Sequence, residues 1–180
     1  MPETFDQPMD PDARQQIATL IATFASGDDV QRHDARRSLI QMEDTAVGAL
    51  IVALRDKKTA VRWEAAKTLG GINSPVAVPA LVEAMNDRDF GVRWLAAEAL
   101  ISLHKHGLAQ ILQALIENTD AMWLWESAHH VFKMLSDKGL ADLLAPILDA
   151  LDHAVLPEEI SQAAHMVLER LLQEQQAASA

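Results

Sequence analysis

Apolar side chains recur along this chain at helical spacing, and short polar segments divide them into ten runs. Ile17, Leu20, Ile21 and Phe24 fall at i, i+3, i+4 and i+7, one face of a helix. Asp10 followed by Pro11 supplies an N-cap and a proline at the first helical position, and Ser26-Gly27 marks the end. Asp28 is placed to cap a second helix with Ala35 and Leu39 inward. A third, from about Asp44 to Leu54, carries Val47, Leu50 and Ile51. The fourth, Thr59 to Leu69, is expected to stop at Gly70-Gly71. Ser74-Pro75 opens a fifth through Val78, Leu81, Val82 and Met85, and Asp89 caps a sixth reaching Leu103. Gly107 to Glu117 is the seventh; Asp120 is expected to cap an eighth that runs to Leu135. The ninth, Gly139 to Leu151, contains Pro146, which should kink it or shift its start. Pro157 opens a tenth with Ile160, Ala164, Leu168 and Leu171 on one face. Residues 1–10 are expected to be loose, and the tail 173–180 to fray.

The runs are also copies of one another. Asp56, Val61, Arg62, Trp63, Ala65, Ala66 and Leu69 recur as Asp87, Val92, Arg93, Trp94, Ala96, Ala97 and Leu100, an offset of 31 (94 − 63). Ala46, Val47, Ala49 and Leu50 recur as Ala77, Val78, Ala80 and Leu81 at the same offset (81 − 50). Fixed-period self-similarity of this length marks a stacked-repeat protein. Ten helices with short connections then read as five antiparallel pairs, about 11–41, 44–69, 75–103, 107–136 and 139–172. The predicted fold is an all-α solenoid whose even-numbered helices form one inner series. Its inward residues are Ala35/Leu39, Val61/Ala65/Leu69, Val92/Ala96/Leu100, Trp123/Ser127/Val131 and Ile160/Ala164/Leu168. No single pair buries its apolar face alone, so stability comes from stacking. The outer members drift from the period, as capping repeats do.

The motif Asp-x-x-x-x-Val-Arg-x-x-Ala-Ala-x-x-Leu, alternating with Ala-Val-Pro-Ala-Leu, resembles a HEAT repeat, and more narrowly is similar to the short HEAT-like repeats of phycobilisome lyases. The match is strongest over residues 45–103. In that family the Val-Arg helix lines the concave surface, and the turn aspartate and helix arginine form a ladder between repeats. The resemblance therefore assigns Asp56, Asp87, Arg62 and Arg93 to structural support. Asn118 and Leu124 break the ladder further on.

One register position does not belong to the core. With Val61, Ala65 and Leu69 inward, a turn of about 100° per residue points Trp63 and Lys67 away from that face. The same register gives Trp94 and Glu98, then Trp125 and His129, and earlier His33 and Arg37. Helices stack about 8–10 Å apart, so Trp63, Trp94 and Trp125 are expected to form an aromatic strip. Exposed tryptophan is a favoured binding residue. The competing reading lays these rings flat in the seams between helices, covered by Lys and Arg stems. Trp123, in the place of Val61 and Val92, is expected in the core.

Composition narrows the partner. Twenty-six acidic against 15 basic residues give a formal charge of −11, which removes the general attraction behind most nucleic-acid affinity. There is no cysteine, hence no disulfide, thiolate nucleophile or Cys-ligated metal. No apolar run approaches the length of a membrane span, and the N-terminus shows no secretory signal pattern.

Three enzyme or ligand classes are built on such repeats. A deoxyhypusine hydroxylase-type di-iron site needs repeated His-Glu pairs, and tryptophan stands at three of the four matching histidine positions. A HEAT-like alkylpurine glycosylase needs a basic groove, for which Arg32, Arg36, Arg37, Arg62, Lys67 and Arg93 offer a local path. A bilin lyase resemblance covers the scaffold alone, although a conjugated ring system would stack on the strip. His129-His130 and His104/His106 lack a third ligand at diagnostic spacing.

The sequence thus predicts a non-enzymatic, monomeric, cytoplasmic scaffold without metal or cofactor. It binds another protein or peptide through Trp63, Trp94 and Trp125, ringed by Arg37, Lys67, Glu98 and His129. The alternatives are a ligand- or pigment-binding protein and a glycosylase.

Overall fold

The structure, a computed structural model, describes residues 10–179. Among these there are ten α-helices and no strand. They are α1 (Pro11–Thr23), α2 (Asp29–Gln41), α3 (Asp44–Ala53), α4 (Thr59–Ile72), α5 (Val78–Ala84), α6 (Phe90–Ser102), α7 (Leu108–Glu117), α8 (Met122–Leu135), α9 (Ala141–His153) and α10 (Pro157–Ser179). Short 3-10 turns at Pro75–Ala77 and His104–Gly107 lead into α5 and α7. The expected loose segment at 1–10 lies, apart from Asp10, outside the described residues. Asp10 and Asp28 cap α1 and α2 as the sequence suggests: Asp28 accepts hydrogen bonds from the Val30 and Gln31 amides at 2.8 and 3.2 Å. Asp89 does the same for α6 through Val92 N–H at 3.1 Å. Asp120 does not cap α8, which starts at Met122 after Ala121.

The helices form an α-solenoid. α2, α4, α6 and α8 stack in one layer, and α1, α3, α5 and α7 lie behind them. Ala65, Ala66, Ala96 and Ala97 are all buried where α4 meets α6, and their small side chains allow the most extensive helix contact in the molecule. Leu39, Leu50, Leu69, Leu81, Leu100 and Leu112 sit at 0–1 % exposure along the middle of the stack. Each such side chain stabilises the fold by roughly 1.5–3 kcal/mol. Gly70-Gly71 does not end α4, which continues to Ile72 and stops at Asn73 in the left-handed conformation, φ 59°. Gly71 serves close packing instead: a Cβ there would come within 2.6 Å of Ile40 Cδ1 on α2.

The last pair is transposed. The turn Ser136–Leu140, with Gly139 at φ 95°, brings α9 directly against α8, and α10 returns along α7 and α9. Hence α9, not α10, extends the inner layer, and the sequence-based placement of Ile160, Ala164 and Leu168 in the inner series is corrected. Those residues face α10's own neighbours; Ile160, Ala163, Ala164, Val167 and Leu171 are buried, and Leu168 half so. Pro146 stays inside α9. Its missing N–H leaves the carbonyl of Asp142 without the usual helical donor, and Arg170 of α10 donates to that oxygen at 3.0 Å. α10 runs on as helix to Ser179, past the point at which the tail was expected to fray.

Gly139 makes a direct test of the turn. A Cβ at this position meets nothing within 4 Å, so only backbone conformation resists substitution. Gly139→Ala is expected to cost about 1–2 kcal/mol, read from the urea midpoint. An unchanged midpoint would mean the turn is not held in this conformation.

Candidate functional site

The site is the face that α4, α6 and α8 turn away from the core, and its geometry starts from the arginine ladder. Arg62 on α4 donates through Nε and Nη2 to the two carboxylate oxygens of Asp87, at 2.7 and 2.9 Å, and through Nη1 to the carbonyl of Asp56 at 3.0 Å. The pair is largely shielded, with 6 % and 12 % of the two side chains exposed. The Asp87 hydrogen bond raises the Arg62 guanidinium above its ordinary value. Burial pushes the Asp87 carboxyl up, but hydrogen bonds from Arg62 and the Asp89 amide, with the charges of Arg62 and Arg88, outweigh it and leave the group below its usual value. This rung of the ladder is therefore structural. A second buried acid, Glu64, is held by Arg36 at 2.5 Å and Arg32 at 3.5 Å, tying α2 to α4. Arg32, Arg36 and Arg62 are thus already matched by carboxylates, which takes three of the six cations out of the basic path.

The expected strip of three equivalent tryptophans is not what the side chains form. Trp63 is half-buried and packs on the core, its indole edge against Gly91 of α6, where a Cβ would come within 3.0 Å of the ring. Lys67 lies over the outer face of the ring, its Nζ 4.6 Å from the centroid. Trp125 is also half-buried, and its Nε1 has no hydrogen-bond partner among the described residues. Trp94 alone of the three is open, with 45 % exposure. The residue that would seat it, one period beyond Gly91, is Met122 (91 + 31), too bulky for an indole to lie across. Trp94 stacks instead on His130, 4.5 Å between centroids, beside Phe90 at 6.2 Å.

Trp123 is a further correction. It is 44 % exposed, while Leu124 beside it is buried at 3 %. Leu124 occupies the place of Arg62 and Arg93 and is buried there, as Arg62 is, while Trp123 lies outside the core. The ring comes to rest over Arg93, 4.9 Å from the guanidinium carbon, with Phe90 at 5.6 Å from the same carbon. The resulting cluster is Phe90, Arg93, Trp94, Trp123 and His130. A pocket of about 120 Å³ opens between α6 and α8, lined by Phe90, Arg93, Trp94, Glu126 and His130 among others.

Of the surrounding polar residues, Lys67 lies over Trp63, and Glu98 Oε1 is 2.9 Å from His130 Nε2, accepting from it in the tautomer that carries the proton there. His129 does not join Glu98; it pairs with Asp152 of α9 at 2.9 Å. Its place is taken by His130, which the 31-residue period misses by one. Arg37 is exposed on α2. Among the described residues no three His, Asp or Glu side chains come together as a metal site, and no helix is long and apolar enough to cross a membrane.

No curated protein matches the chain. The sequence profile of HEAT repeats matches residues 6–101 and 47–128, which together span 6–128 of 180 residues. HEAT repeats in general serve as protein-interaction scaffolds and are generally non-catalytic. With the ladder rung at Arg62 and Asp87, the stacked pairs and this match, the chain belongs to the HEAT-repeat family.

Proposed function

We propose that the protein is a monomeric, cytoplasmic, non-catalytic scaffold that binds a partner protein on the α6–α8 part of its inner face. The observation that supports this reading is the open aromatic cluster. Phe90 and Trp123 are 67 % and 44 % exposed, and Met122, next to Trp123 in the chain, is 64 % exposed. Large aromatic side chains gathered around an arginine, outside the core, are what a binding centre is made of. Trp63 and Lys67 supply a packed shoulder to this centre and Glu98, through His130, a polar edge. The stacked repeats hold these groups in place before binding, so little ordering cost is incurred on association.

The test is comparative capture from a lysate of the source cells. Three baits are used: the unmodified chain, a Phe90→Ser/Trp94→Ala variant, and Val52→Ser, which alters an exposed apolar residue on α3 (71 % exposed). A protein retained by the first and third baits and lost from the second is expected, with all three melting alike. Equal capture by all three would remove the α6–α8 face from consideration.

A further inference from the structure

The ladder has a rung without a carboxylate. Arg93 repeats the pose of Arg62 on one side: its Nη1 donates to the carbonyl of Asp87 at 2.9 Å, as Arg62 Nη1 does to Asp56. On the other side the two differ. Arg62 closes a two-pronged pair on Asp87 through Nε and Nη2. The residue 31 positions after Asp87 is Asn118, and its side chain turns back to donate to the carbonyl of Ala114 at 2.8 Å. α7 also continues to Glu117, two residues beyond the period set by the end of α5 at Ala84 (84 + 31 = 115), so the loop that would offer the acid is shortened. Arg93 Nε and Nη2 have no acceptor among the described residues. Its guanidinium is nevertheless fixed, half-buried between the rings of Phe90 and Trp123.

A held arginine with two parallel N–H groups unmatched is built for a planar, two-oxygen acceptor. The charges along the face favour a protein source for it. Arg37, Lys67 and Arg93, on α2, α4 and α6, have no carboxylate within ion-pair distance among the described residues. The pocket beside Arg93 holds one carboxylate, Glu126, which forms no ion pair, while Glu98 is engaged by His130. Arg93 is thus left without an ion pair although the chain carries −11. That overall charge disfavours a phosphate backbone, but not a single acid set in an otherwise apolar segment.

We propose that Arg93 binds the side-chain carboxylate of an Asp or Glu in the partner, completing the ladder between two protein chains. The pocket beside Trp94 and His130, of one-side-chain size, takes the apolar residue next to that acid. This rests on the reading of the α6–α8 face as the binding surface, and deepens it.

The test uses random dodecapeptides displayed on phage, selected against the full chain, with selected sequences then synthesised and their affinities measured. Binders that weaken with Trp94→Ala are expected to carry an Asp or Glu beside a large apolar residue. Arg93→Gln is expected to weaken them roughly 10–100-fold, the loss of a charge-assisted pair. Changing the peptide's own acid to its amide should cause the same loss, and the two changes together no further loss. Arg88→Gln, which removes an equal charge from a neighbouring exposed position, should leave affinity within about 2-fold, because a screened surface charge contributes little. Trp94-dependent binders with no acid, or insensitive to Arg93→Gln, would overturn the Arg93 assignment and leave the face standing. Binders that require phosphoserine in place of the acid would overturn it too. If no selected peptide responds to Trp94→Ala, the face and the rung both fail.

Discussion

Asp87→Ala is expected to lower the unfolding free energy by about 3–5 kcal/mol, the cost of leaving a shielded charge unpaired. Arg62 would keep its place between two helices with 6 % of its side chain exposed, having lost both carboxylate oxygens that Nε and Nη2 reach. The Asp89 amide, 2.8 Å from Asp87 Oδ1, would lose its acceptor as well. Asp87→Asn keeps one oxygen for these donors and should lose less. Urea denaturation followed by circular dichroism reads both; a loss under about 1 kcal/mol for the alanine variant, within the range of an exposed pair, would mean the rung does not hold the repeats together. The same pair sets an acid limit. Asp87 has its folded value below the ordinary 3.8, so its contribution is complete above that value and is lost as pH falls through the depressed folded value. Arg62, held above its ordinary value by the same pair, stays charged throughout that window and adds no slope. Between pH 4 and pH 2 the unmodified chain should therefore lose more stability than Asp87→Ala does.

The second large effect separates two tryptophans that the repeat makes equivalent. Trp63→Ala should cost about 3 kcal/mol, as large-to-small changes against a core do, because its ring fills the space over Gly91 and cannot be replaced by Lys67 folding in. Trp94→Ala, at an open position, should stay within about 0.5 kcal/mol. Thermal melts of the two variants, with iodide quenching to report how accessible the lost fluorescence was, make the comparison. Equal costs would show that Trp94 is packing, and the binding centre would lose its main residue.

Helix positions and the stack were legible because they follow from local periodicity and from a motif repeated at a constant offset. The structural role of Arg62 and Asp87 was legible only through the resemblance to HEAT repeats, and their pairing with each other comes from the structure. What a helical wheel cannot give is the shape of the neighbour. Trp63 and Trp94 have the same phase, and the difference between them lies on the next helix, in Gly91 against Met122. That cue stood in the sequence, one residue before each Val-Arg motif position, and is recognised only once the ring is known to cross the seam. Trp123 and His130 escaped for a related reason. Leu124 stands buried in the place of the ladder arginine while Trp123 beside it lies exposed, and the neighbouring His129 and His130, equally half-exposed, take separate partners in Asp152 and Glu98. The transposition of α9 and α10 had one local sign, Gly139, which the sequence offered equally well as a simple helix start.

That transposition bears on how the array can grow. A stacked repeat lengthens because each unit presents the next with the faces it was itself laid upon, back helix first and front helix second. At α9 and α10 the order is reversed: the front helix comes first and packs on α8, and the back helix comes second and packs on α7. An extra 31-residue unit spliced between α6 and α7 meets matching faces on both sides. The reversed pair thus leaves a back-row helix last in chain order, where each earlier pair leaves a front-row one.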